Sequence, residues 1–197
     1  MLRVGVTGGI GSGKSYVCHI LEGWGFPVYH TDTQAKRLMV EDQELKEALT
    51  RLMGEEAYDA AGQLNKTVVA SYLFRSAQHA AQVNQLVHPC VKNDFRRWCR
   101  HQSADLVFLE CAILFESRFD DVVDVTVCVA APEPLRIQRA VRRDHTTPAK
   151  IEERMCHQWP QLIVAERSDH VILNDGRSDL DSQLCQLLAT LRSSVSC

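Results

Sequence analysis

Gly8-Gly9-Ile10-Gly11-Ser12-Gly13-Lys14-Ser15 constrains this chain more than any other stretch, because it satisfies Gly-x-x-x-x-Gly-Lys-[Ser/Thr] in a fitting context. Leu2-Arg3-Val4-Gly5-Val6-Thr7 ahead of it reads as a short buried strand. Residues 15–24 behind it read as a helix, with Val17, Ile20, Leu21 and Trp24 at helical spacing. A strand, a glycine loop and a helix in that order make a phosphate cradle. Glycines let the backbone wrap an anion without Cβ clashes, so successive N–H groups point inward, and the helix N-terminus adds partial positive charge. The nucleotide-binding residues expected from this run are Gly8, Gly9, Gly11, Ser12, Gly13, Lys14, Ser15 and Tyr16. Lys14 is placed to reach the β/γ-phosphates and the Ser15 hydroxyl to hold Mg²⁺. A chance match on a glycine-rich turn is expected in on the order of one chain in a hundred of this length, and the flanking strand and helix lower that further.

The 197 residues are 45% hydrophobic and 24% charged, which suits one compact domain with a sizeable core. A net charge of −3 argues against a broad nucleic-acid-binding face. No apolar run approaches the roughly 20 residues of a membrane span, and the first ten residues are already strand and phosphate loop rather than a signal peptide. The cytoplasm is the expected compartment. Eight cysteines stand at 18, 90, 99, 111, 128, 156, 185 and 197 with no Cys-x-x-Cys pair. They read as buried free thiols of a reducing compartment. Cys99 with His101, and Cys156 with His157, are half-sites for zinc that lack a second pair.

Five short aliphatic strands are expected, at 2–7, 26–29, 106–114, 124–129 and 170–173, alternating with helical patterns. The fold class is therefore α/β, a five-stranded parallel sheet flanked by helices. Two connections exceed plain crossovers. About 75 mostly helix-like residues join the second and third strands, with Pro89 marking a kink or a restart. About 40 arginine-rich residues join the fourth and fifth. Both leave from strand C-termini, where open α/β sheets bind ligands, so they are placed to cover an acceptor and a nucleotide.

Asp32 follows the second strand, where its carboxylate faces the cleft and can take the proton of an attacking hydroxyl. The alternative is an N-cap for a helix over 33–40. Arg136, Arg139 and Arg143 are three and four apart and share one helix face, which is costly unless an anion sits among them. A lid that brings guanidinium groups onto the transferring phosphate supplies that anion; a solvated face neutralised by Asp144, Glu152 and Glu153 is the alternative. Glu110 and Glu116 both end or follow an apolar strand, and either suits a carboxylate behind Mg²⁺.

These residues belong to a longer order: Asp32, His88-Pro89-x-Val91, Leu114-Phe115-Glu116, Gln138-Arg139-x-x-x-Arg143-Asp144, Arg154-x-x-x-Gln158 and Asn174-Asp175-Gly176. The whole resembles bacterial dephospho-CoA kinase over nearly the entire chain. That resemblance implies a P-loop kinase that transfers the γ-phosphate of ATP, with Mg²⁺, to the 3′-hydroxyl of dephospho-CoA. It also implies Asp32 as the base, Arg139 and Arg143 as lid residues, and His88 as an acceptor contact. A helical acceptor-binding insertion over 33–103 and a lid over 133–168 follow, with ATP and dephospho-CoA as the partners and no nucleic acid or membrane. The chain departs from the family pattern in four places. His30-Thr31-Asp32 stands for Asp-x-Asp, Tyr16 for Thr, Glu110 for Asp, and Ala112 for the Pro before the Leu-Phe-Glu segment.

Two other readings stay open on the residues alone. One is a kinase of another small acceptor, such as a nucleoside monophosphate or shikimate. The other, a GTP-dependent switch, needs Asn-Lys-x-Asp, whereas Asn65-Lys66 continues Thr67-Val68 and Asp59-Ala60-Ala61-Gly62 follows polar residues.

Overall fold

The structure, a computed structural model, describes residues 1–195. Strands β1 (Leu2–Thr7), β2 (Val28–His30), β3 (Leu106–Glu110), β4 (Val125–Ala130) and β5 (His170–Leu173) form one parallel sheet in the order β2-β3-β1-β4-β5. Helices α1 (Lys14–Gly23) and α9 (Leu180–Val195) flank it in sequence at its first and last strands. Val4, Val6, Phe108, Val127, Val129 and Ile172 alternate onto one sheet face and bury against Val17, Leu21, Leu184 and Leu191 from those two helices. On the opposite face Gly5 leaves room for Leu114, whose methyls lie 3.1 and 3.2 Å from where a Cβ would stand.

Three strands differ from the expected bounds. Phe26 is not in β2: its N–H closes the end of α1 on the Leu21 carbonyl at 3.0 Å, and Pro27 has no N–H for the ladder. β2 therefore starts two residues later and ends one residue later, at His30. β3 stops at Glu110 rather than Leu114, because 111–119 turn back through Ser117 N–H to Ile113 O (2.9 Å) and Phe119 N–H to Leu114 O (2.7 Å). β4 starts at Val125, since the Asp124 carboxylate takes the Arg3 N–H, and it runs one residue past the expected end, to Ala130.

The chain divides into two compact units, one of residues 1–30 with the chain from 102 onward, the other of residues 31–101. The second unit is helical: α2 (Thr31–Glu41), α3 (Gln43–Met53), α4 (Lys66–Leu73) and α5 (Ala77–Arg100). Asp42, Asn65 and Ser76 each cap the helix that follows by accepting a backbone N–H. Asn65 is thus a cap, and Asp59 accepts from the N–H groups of Ala61 and Gln63 in a tight turn, which gives both a local structural task. Of the kink or restart expected at Pro89, the restart does not occur: α5 runs through it, with Val83, Val87, Val91 and Phe95 buried along one stripe. That stripe outweighs the single N–H that Pro89 withholds from the helix ladder.

The first unit also carries α6 (Glu133–Asp144), α7 (Pro148–Met155) and α8 (Gln161–Arg167). Cys18, Cys99, Cys111 and Cys128 are buried free thiols, as expected, but Cys156 and Cys185 are exposed and Cys90 is half-buried. Cys185 sits between the buried Leu184 and Leu187 on α9, where helical rotation turns it outward. Cys197 lies outside the described residues. Among the described residues no helix is long and apolar enough to cross a membrane.

Candidate active site

The loop from Gly8 to Gly13 joins β1 to α1 at the centre of the sheet. Its turns need positive φ, at Gly11 (78°) and at Gly13 (91°), where any side chain is strained. A Cβ at Gly13 would also stand 2.0 Å from Asn174 Nδ2. Among the described residues, the buried side-chain oxygens with no hydrogen-bond partner are Thr7 Oγ1 and Ser12 Oγ, both at this loop. Unsatisfied buried polar atoms are rare in folded proteins, and their concentration here marks a place built for something other than stability.

Three groups hold the loop from outside. The Ile10 N–H donates to Gln158 Oε1 at 2.9 Å, and the Ile10 carbonyl accepts from Arg136 Nε at 3.0 Å. Asn174 Nδ2 donates to the Ser12 carbonyl at 2.9 Å. Arg139 in turn donates to the Asn174 carbonyl at 2.9 Å and to its Oδ1 at 3.3 Å. Gln158 and Asn174 come from family motifs to which sequence reasoning attached no contact; their partners lie 148 and 162 residues away, beyond any local signal.

Arg136, Arg139 and Arg143 of α6 do not share one anion-facing surface in this structure. Arg136 is 5% exposed and supports the underside of the loop, with burial pulling its guanidinium below the ordinary value. Arg139 lies beside Gly13 and Asn174. Arg143 pairs with Asp144, which also takes Arg154 at 2.6 Å. Those bonds, Arg143 first and Arg154 second, hold the Asp144 carboxyl well below the usual carboxylate range. Helical spacing put the arginines on one side, but Arg136 and Arg139 take partners from other elements and Arg143 takes its own neighbour on α6.

The two glutamates are also told apart. Glu110 accepts from Ser15 Oγ at 2.7 Å and stands 3.6 Å from Lys14 Nζ. Its other oxygen meets His30 Nδ1. Burial raises its carboxyl, but Ser15, Lys14 and His30 outweigh burial and leave it lowered. Glu116 instead accepts the Trp159 N–H at 3.0 Å and fixes the turn after α7. Tyr16 is 62% exposed at the first turn of α1.

In the helical unit, α2 begins at Thr31, so Asp32 is inside the first turn and not at the N-cap position expected on the capping reading. His88 is half-buried on α5, its imidazole lowered by burial and then by Lys92. Arg37 is engaged with Asp94 at 2.7 Å and Glu41 at 3.0 Å, and Arg97 also reaches Asp94.

A parallel sheet in this order, with a glycine loop, a lysine, a serine and a strand-end acid at its centre, defines a P-loop kinase of small molecules. A family model described as dephospho-CoA kinase matches residues 2–179. The dephospho-CoA kinase of Bacteroides fragilis strain YCH46 is 45% identical over 195 residues, covering 98% of this chain and 95% of that protein. The crystal structure of TT1252 from Thermus thermophilus superposes with a TM-score of 0.83 at 31% identity, over 96% of this chain and 97% of that one. The dephospho-CoA kinase of Campylobacter jejuni shares the fold, with a TM-score of 0.69 at 18% identity over 99% and 98% of the two chains. The chain belongs to the dephospho-CoA kinase family.

Proposed function

We propose a division of labour for the ATP-dependent phosphorylation of dephospho-CoA, the reaction by which this enzyme completes coenzyme A. The loop N–H groups and Lys14 bind the β- and γ-phosphates, and Arg139 and Arg143 stabilise charge on the phosphoryl group in flight. Asp32 accepts the proton of the 3′-hydroxyl, and His88 contacts the acceptor. The carrying observation is the Lys14–Glu110–Ser15 cluster at the edge of the glycine loop. Residues 33–103 bind the acceptor and residues 133–168 act as the lid. The cytoplasm, where ATP is abundant and thiols stay reduced, suits the seven described free cysteines.

Mg²⁺ is implied by this fold family, and the donors present suit it. Ser15 keeps its proton on Glu110 and has oxygen lone pairs left over, and hard oxygen donors beside substrate phosphates are what Mg²⁺ prefers. Ser15 would hold it directly and Glu110 would orient Ser15. When bound, the ion neutralises charge between the β- and γ-phosphates.

The test is ADP release with ATP and a panel of acceptors: dephospho-CoA, shikimate and nucleoside monophosphates. Dephospho-CoA alone should give turnover, and Lys14→Ala should lower it by at least about a hundredfold while the protein stays folded. Near-normal turnover in a folded Lys14→Ala protein would remove the premise, and preference for another acceptor would reassign the substrate.

A further inference from the structure

His30 stands in register with Glu110 on the neighbouring strand, as Val28 does with Phe108. Paired residues of parallel strands present their side chains to the same sheet face, here the face on which α1 packs. The imidazole therefore lies between two acids. Nδ1 meets Glu110 Oε2, and Nε2 meets Glu22 Oε1 at 2.9 Å. Glu22 belongs to the last turn of α1, the helix whose first residues are Lys14 and Ser15. The ring thus ties the far end of that helix to the acid that serves its beginning.

Glu110 is the element being placed. Its carboxylate meets Ser15 and Lys14 at Oε1 and His30 at Oε2. A glutamate has one more rotatable bond than an aspartate, so a strand-end Glu left to itself samples several carboxylate positions. Ser15 and Lys14 are the residues assigned to metal and nucleotide, whereas His30 is met at its other ring nitrogen by Glu22.

We infer that His30 is a positioning residue of the phosphoryl-transfer site, which together with Glu22 fixes the Glu110 carboxylate so that its other oxygen stays on Ser15. This deepens the assignment of Ser15 and Glu110 to the metal side of the site and rests on it. The imidazole touches no substrate and acts through the carboxylate, as outer partners of metal-site ligands do. The two family departures at this site, His30 and Glu110, then form one unit. The longer acid needs a fixed donor behind it, and the histidine is that donor.

Three substitutions separate positioning from packing. His30→Ala removes ring and donor; His30→Phe keeps a ring without a donor; His30→Asn keeps a donor near the Nδ1 position. Calorimetric titration of each with ADP, at increasing MgCl₂ and without it, gives a readout independent of turnover. For Ala and Phe the Mg²⁺ midpoint for ADP binding should rise about tenfold, ADP affinity without Mg²⁺ should stay within twofold, and kcat should fall about tenfold with KM for dephospho-CoA unchanged. Asn should recover most of both. If Phe behaves like the parent, or if Ala leaves the Mg²⁺ midpoint where it was, the proposal is overturned. A parent whose ADP binding ignores Mg²⁺ would instead overturn the metal-side assignment beneath it.

Discussion

Asp32 shows how much a one-residue shift matters to the meaning of a side chain. At an N-cap it would accept a backbone N–H, and Asn would replace it at little cost. One residue inside α2 it instead contributes charge to the positive end of the helix, worth about 0.3–1 kcal/mol. Asp32→Asn should therefore cost less than about 1 kcal/mol in a thermal melt, while turnover with dephospho-CoA falls by about 10²–10⁴. ATP affinity, measured by fluorescence or calorimetry, should be unchanged. If the variant keeps more than about a tenth of the parent kcat, which is under 1.4 kcal/mol of barrier, Asp32 is not the base.

On a single helix, α6, Arg136, Arg139 and Arg143 stand in three environments, and their variants should separate accordingly. Arg139→Ala and Arg143→Ala should lower kcat more than they raise KM for ATP, the pattern of groups used mainly in the transition state. Loss of ATP affinity alone would make them ground-state clamps. Arg136→Ala removes the donor to the Ile10 carbonyl and empties a buried site, so about 1–3 kcal/mol of stability and a raised KM for ATP are expected. An Arg136→Ala melt matching the parent would show that the loop needs no such support. The loop itself tolerates no side chain at its first glycine. A Cβ on Gly8 would lie 2.4 Å from the Val129 carbonyl oxygen, a backbone atom that cannot swing aside. Gly8→Ala should fold with a displaced loop and lose ATP binding, read by equilibrium titration.

Across the sheet-bearing unit, the start of β1 is fastened to the start of β4 through Arg3 and Asp124, residues 121 positions apart. Arg3 donates its backbone N–H (2.8 Å) and its Nε (2.9 Å) to one carboxylate oxygen and a terminal nitrogen to the other. The Arg3 side-chain bonds are the main reason the Asp124 carboxyl lies below its ordinary value, against burial. A folded-state pKa lowered below the unfolded value of about 3.9 stabilises above that pH and is lost as pH falls through the folded value. Asp124→Asn should lower Tm at pH 7 by an amount equal to about 0.5–1 kcal/mol, since the pair is partly solvated, and parent and variant should draw together as pH falls below the unfolded value of about 3.9. Melts at pH 7, 5 and 3 check this.

The sequence by itself determined whatever short-range spacing encodes. Gly8 to Ser15 reads as a phosphate loop between a strand and a helix, and the aliphatic runs at 2–7 and 170–173, with one beginning at 106, read as strands of a parallel sheet. Such patterns depend on neighbours one to four residues apart, which a linear reading contains. Tertiary structure alone decided which acid serves the loop, because Glu110 and Glu116 look alike until β3 ends and the chain turns back. It likewise decided that Arg136 is a buttress, and that His30 belongs to β2 and faces an acid 80 residues away. Each of these rests on sheet order and register, set by burying two faces of a five-stranded sheet at once, and no local window of sequence carries that sum.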